Sequence, residues 1–97
     1  LISQKYNKYI FDFNLIYKKK YIFEIKDNFN VIKIYSFNKY YTIYYLKRTN
    51  ENKYECYLFD KKIGTIEKDN NEYKIEFKKK YFKTFYLFSS AFILMTS

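Results

Sequence analysis

The chain has 97 residues, which suits one domain with a modest core and is too short for two. Apolar residues make up 48% and aromatics 26%, a composition that excludes a disordered chain, and the absence of histidine excludes Ser-His and Cys-His nucleophilic pairs and the usual zinc ligands. The net charge of +9 favours a phosphate-bearing partner, either nucleic acid or an anionic membrane surface.

Period-two alternation runs through residues 9–77 and predicts about seven short antiparallel strands. Tyr21, Phe23 and Ile25 share one face, with Glu24 and Lys26 on the other. Asp27, Asn28, Phe29 and Asn30 predict a turn into a strand over 31–35, and a second turn falls around Asn38 and Lys39. Tyr41, Ile43 and Tyr45 make the next apolar face, before a polar loop over 49–52. Tyr54, Cys56 and Leu58 then alternate with Glu55, Tyr57 and Phe59. Asp60, Lys61 and Lys62 predict a turn into 63–68, and Asp69, Asn70 and Asn71 one into 73–78. With a single glycine and no proline in the chain, Asn and Asp supply the left-handed backbone that such turns need. The hairpins over 21–34 and 54–66 share one grammar at an offset of 33 residues, which suits either an internal repeat or the common pattern of hairpins.

The alternation ends at Lys78, Lys79 and Lys80, after which residues 81–95 are almost wholly apolar. Thr84 is a candidate helix cap, and a helix over 84–97 would be apolar on every side and about 21 Å long. A bilayer core needs roughly 30 Å. The segment therefore predicts a buried helix, inside a barrel or against a sheet; a tail anchor is the alternative if apolar residues continue past Ser97. The expected fold is mainly β: antiparallel hairpins over 9–78 forming a barrel or strongly curved sheet, with one hydrophobic C-terminal helix over 84–97, in a single domain spanning 1–97.

Little in the chain points to catalysis. Cys56 lies in an alternating strand and reads as a buried apolar thiol, and one cysteine allows no internal disulfide. Gly64 alone rules out glycine-rich phosphate loops and marks a bulge or a close backbone approach. The densest acidic group, Glu67, Asp69 and Glu72, lacks calcium-loop spacing and reads as a solvated turn. No catalytic residue, metal site, cofactor or small-molecule substrate is expected, and the chain reads as non-enzymatic. The first residue is Leu, which suits a processed or truncated fragment, and Lys5 and Lys8 break any signal-peptide run. The expected location is the cytoplasm, with association to a membrane.

The candidate binding residues are two lysine triplets, Lys18, Lys19, Lys20 and Lys78, Lys79, Lys80, each followed by a tyrosine, Tyr21 and Tyr81. Lysines of this kind attract lipid or nucleic-acid phosphates as point charges without reading sequence. The alternative is a pair of solvated turns. Lys, Asn, Ile, Tyr and Phe are also the types that A- and T-rich codons encode, so genome bias accounts for the excess charge as readily as selection for a partner does. Residues 1–50 carry +7 and residues 51–97 only +2, which makes the first half the stronger polyanion face.

The segment 54–68 (YECYLFDKKIGTIEK) resembles a repeating unit of the tubby C-terminal-like superfamily, which includes LURP-one-related proteins and phospholipid scramblases. Residues 21–35 fit it more loosely, and the apolar segment 85–95 sits where that family places a hydrophobic helix threading a closed barrel. The resemblance implies association with phosphoinositides or phospholipids, as in some members of the family, and carries over no functional residue. The family barrel has twelve strands against about seven expected here, so it further implies a fragment, a degenerate member or a reduced barrel. Three readings follow: a non-enzymatic β-barrel domain associating with anionic phospholipid or a membrane-bound partner, a structural or protein-interaction domain, and a single-stranded nucleic-acid binder of OB-like form.

Overall fold

The computed structural model describes residues 2–5, 7–13, 15–36 and 42–96, the first of these segments by backbone alone. Eight strands form one sheet in chain order: β1 (Ile2–Lys5), β2 (Lys8–Asp12), β3 (Lys20–Lys26), β4 (Val31–Ser36), β5 (Ile43–Asn50), β6 (Lys53–Leu58), β7 (Lys61–Asp69) and β8 (Glu72–Phe77). Each strand pairs antiparallel with its sequence neighbour, and the sheet is open, with β1 and β8 as its edges. A 3-10 turn, Lys79–Thr84, leads into one helix, α1 (Phe85–Thr96).

The registers fix which side chains face the helix. Phe23 opposes Ile34, Ile32 opposes Leu46, Leu46 opposes Cys56, and Tyr54 opposes Ile66. These residues join Leu87, Phe88, Ala91 and Met95 of α1 in one buried cluster, with Phe11 of β2 and Phe77 of β8 packed at its margin. Strands lie about 4.8 Å apart, so a flat sheet would hold β2 and β8 roughly 29 Å from each other. The Tyr17 hydroxyl in the β2–β3 connection nevertheless reaches the Lys83 carbonyl, six residues past β8, so the sheet curls around the helix. Part of that curl sits at an irregularity in β7, where the register against β6 shifts between Cys56 and Tyr57.

Gly64 lies at this shift, opposite Phe77 on β8. The Phe77 ring lies over the glycine backbone and meets Phe88 of α1 at 5.6 Å between centroids. Gly64 therefore combines the bulge and the close approach expected of it.

The structure corrects four local expectations. The core-facing residues of β5 are Tyr44 and Leu46, while Ile43 and Tyr45 pair with Tyr35 and Lys33 on the opposite face. The turn expected at Asp60, Lys61 and Lys62 falls on Phe59 and Asp60, because β7 already begins at Lys61. Thr84 does not cap α1 with its oxygen; it is buried, and its hydroxyl donates to the Tyr81 carbonyl at 2.7 Å. The helix is also not enclosed on all sides: Leu87, Phe88 and Ala91 are buried, whereas Tyr86 and Ile93 are more than half exposed. The expected turn at Asn38 and Lys39, like Tyr41, lies outside the described residues. Among the described residues, no helix is long and apolar enough to cross a membrane.

A Cβ at position 64 would sit 2.6 Å from the Glu76 carbonyl oxygen and 2.8 Å from Phe77 Cε1. Relieving that overlap costs about 1–3 kcal/mol, more than the roughly 0.5–1 kcal/mol alanine gains over glycine in a regular element. Gly64→Ala is therefore expected to lower the urea midpoint, and an unchanged or raised midpoint would mean that β7 and β8 separate without cost.

Candidate functional site

In an antiparallel meander, alternate connections lie at the same end of the sheet. The β2–β3 segment, the Phe59–Asp60 turn and the chain leaving β8 share one end, which is also where α1 begins. Both lysine triplets are there. Lys18 and Lys19 lie in the β2–β3 connection, Lys20 opens β3, and Lys78, Lys79 and Lys80 follow β8; all six are exposed.

A hydrogen bond spanning 66 residues joins the two basic segments: the Tyr17 hydroxyl donates to the Lys83 carbonyl at 2.6 Å. The β2–β3 segment folds back to make this possible, with the backbone N–H groups of Ile16, Tyr17 and Lys18 all donating to the Phe13 carbonyl. Lys18 adopts a left-handed backbone there, at φ 56°. The Tyr17 ring packs edge-on against Phe13 and Tyr21, which ties the connection to the core.

Between the basic segments lies an open groove of about 700 Å³, lined by Ile16, Tyr17, Phe82, Lys83, Phe85 and Tyr86. Leu15 beside it is fully exposed, and Phe82 is 64% exposed. Phe59, at the tip of the β6–β7 turn, is a further exposed apolar side chain at this end. Exposed apolar groups of this size clustered beside cations distinguish this end from an ordinary solvated surface. The described carboxylates here are Asp60 in its turn, Asp12 at the end of β2 and Glu76 near the end of β8, whereas Asp27, Glu51, Asp69 and Glu72 all lie at the opposite end.

The triplets were legible in the sequence; their convergence was not. Lys61 and Lys83 were missed, as were the apolar residues between the basic segments. Their one available signal is adjacency: Leu15, Ile16 and Tyr17 precede the first triplet, and Tyr81, Phe82 and Lys83 follow the second. The two tyrosines after the triplets differ from each other. Tyr21 is buried in the core, while half-buried Tyr81 accepts from Lys61 Nζ at 3.4 Å and has Lys80 Nζ 5.7 Å from its ring centre.

Tyrosines on the outer face of the sheet are occupied in the same way. Lys47 Nζ lies 5.5 Å from the Tyr45 ring centre and 4.6 Å from that of Tyr57, and the Tyr57 hydroxyl donates to Glu55. Glu55 also pairs with Lys62 at 2.8 Å, and those two hydrogen bonds hold its carboxyl below the ordinary range. Cys56 is fully buried, and desolvation pushes its thiol far above the ordinary value. No group of three acidic or cysteine side chains suited to a metal occurs among the described residues.

Comparison with known proteins yields no relative: no family model, curated protein or solved structure matches the chain.

Two measurements probe this end of the fold. Tyr17→Phe removes the bond to Lys83 and keeps the ring, so a loss of about 0.5–1.5 kcal/mol in urea unfolding is expected; no loss would detach the two segments from each other. Burial also raises the phenol pKa values of Tyr17, Tyr21 and Tyr44 above 10.0. The unfolded phenols then release protons at a lower pH than the folded ones, so the unfolded state binds fewer protons and stability falls as pH rises past the ordinary value. A urea midpoint steady to about pH 9 and falling by about pH 11 is expected; one that stays level across that interval would contradict the assigned burial.

Proposed function

We propose that this is a non-enzymatic domain that associates with an anionic phospholipid surface through the end of the sheet bearing both lysine triplets. The observation that carries this reading is the Tyr17–Lys83 hydrogen bond, which draws the two basic segments around an exposed apolar groove. Charge and apolar surface together match the two layers of a membrane interface. Each lysine near an anionic leaflet contributes on the order of 1 kcal/mol, within a Debye length of about 10 Å at 0.1 M salt. Leu15, Ile16 and Phe82 then enter the acyl boundary, where each buried methylene adds roughly 0.8 kcal/mol. The resemblance to the tubby-like superfamily points to the same class of ligand.

A nucleic acid would use the lysines but would leave Leu15 and Phe82 in water. The meander also lacks the Greek-key order of an OB fold, and Tyr45 and Tyr57 already hold Lys47. The lipid reading accounts for more of the surface.

Co-sedimentation with phosphatidylserine-containing vesicles is expected, with little binding to phosphatidylcholine alone. Neutralising Lys18, Lys19 and Lys20 to Gln removes about 3 kcal/mol, or on the order of 100-fold in affinity. Ile16→Ser with Phe82→Ser is expected to weaken binding that persists at high salt. Equal binding to both vesicle types would sink the proposal, and binding to single-stranded oligonucleotides without vesicle binding would replace it with the nucleic-acid reading.

A further inference from the structure

The sheet ends at β8, and among the described residues no strand pairs with its far side. Glu72, Tyr73, Lys74, Ile75 and Glu76 are all exposed. Tyr73 and Ile75 are 54% and 40% exposed even though they lie on the helix-facing side. An edge of this kind offers a row of backbone donors and acceptors to another strand.

Which groups face outward follows from one hydrogen bond. The Lys78 N–H donates to the Ile63 carbonyl on β7 at 2.9 Å. Alternate residues of a strand point their backbone groups the same way, so Glu72, Lys74 and Glu76 direct theirs to β7. Tyr73, Ile75 and Phe77 therefore direct theirs to the open edge.

We propose that the chain forms a twofold dimer by antiparallel pairing of β8 with β8 of a second copy, centred on Ile75. In this register Ile75 exchanges backbone hydrogen bonds with its own counterpart, and Tyr73 does so with Phe77. The side chains agree on both faces. On the helix side Ile75 meets Ile75 and Tyr73 meets Phe77. On the other side Lys74 meets Glu76 and Glu72 meets Lys78, so each charge finds its opposite. The Lys74–Glu76 contact within the strand, 3.4 Å and well exposed, is exchanged for a contact between copies. Centring the pair on Lys74 instead would oppose Lys74 with Lys74 and Glu72 with Glu76. Centring it on Glu76 would oppose Glu76 with Glu76 and Lys74 with Lys78. Charge thus selects the Ile75 register from its neighbours, and twofold pairing closes the assembly at two copies.

The register is tested by charge exchange at exposed positions, where the fold of each variant is checked by circular dichroism. In sedimentation velocity at about 100 μM, suited to a short interface, the unaltered chain is expected at twice its 12.2 kDa mass. Lys74→Glu places Glu opposite Glu76, and Glu76→Lys places Lys opposite Lys74, so each variant alone is expected as a monomer. Mixed in equal amounts, the two restore both opposite-charge pairs and return to the dimer mass. Ile75→Pro removes a donor that faces the edge and none that faces β7, and it is expected to be a folded monomer. A monomeric unaltered chain overturns the proposal. So does a single charge variant that remains dimeric, a mixture that stays monomeric, or a mass above the dimer that grows with concentration.

Discussion

The contact on which the rest of the structure depends is that between the buried face of α1 and the inner face of the curled sheet. Eight strands joined only to their sequence neighbours have no closing ladder to hold their shape. The helix supplies what closure would. Leu87, Phe88 and Ala91 share one buried cluster with side chains of β3 through β7, and Phe88 meets rings from both β5 and β8. The single glycine stands where that arrangement leaves no room for a side chain, between the β7 backbone and the Phe77 ring.

The same helix organises the polar end of the molecule. Its first turn lies beside Tyr17, whose half-buried phenol donates to the Lys83 carbonyl and lies within reach of the Tyr86 and Leu87 backbone. The β2–β3 connection therefore docks onto the start of α1 instead of extending into water, and it brings Lys18, Lys19 and Lys20 with it. Meander topology gathers both lysine triplets at one end, since alternate connections must share an end.

Strands were legible where polar and apolar residues alternate cleanly, as in β6, where Tyr54, Cys56 and Leu58 face the core and Glu55 does not. They were ambiguous where both parities are apolar. Ile43, Tyr44, Tyr45 and Leu46 fit either face, and a one-residue slip exchanges them all. β1 escaped notice because four residues hold too little alternation to register as a period. The lysine triplets were visible as local runs, but their meeting depends on a bond between residues 66 apart. That β8 is an edge is a property of the whole sheet and leaves no mark on Glu72–Phe77 itself.

The order of elements along the chain also bears on how the molecule forms. Every strand pairs with the one before it, so the sheet grows by local hairpin additions, with less sequence separation than most all-β topologies require. The helix that fills its inner face comes after all eight strands and is synthesised last of these elements. At about 5–20 residues per second, the strands precede α1 by seconds. During that interval Phe23, Ile34, Leu46 and Ile66 line an uncovered apolar trough beside two unpaired edges. Among the stages that build this sheet, the nascent chain is thus most open to misassociation just before the twelve residues of α1 emerge.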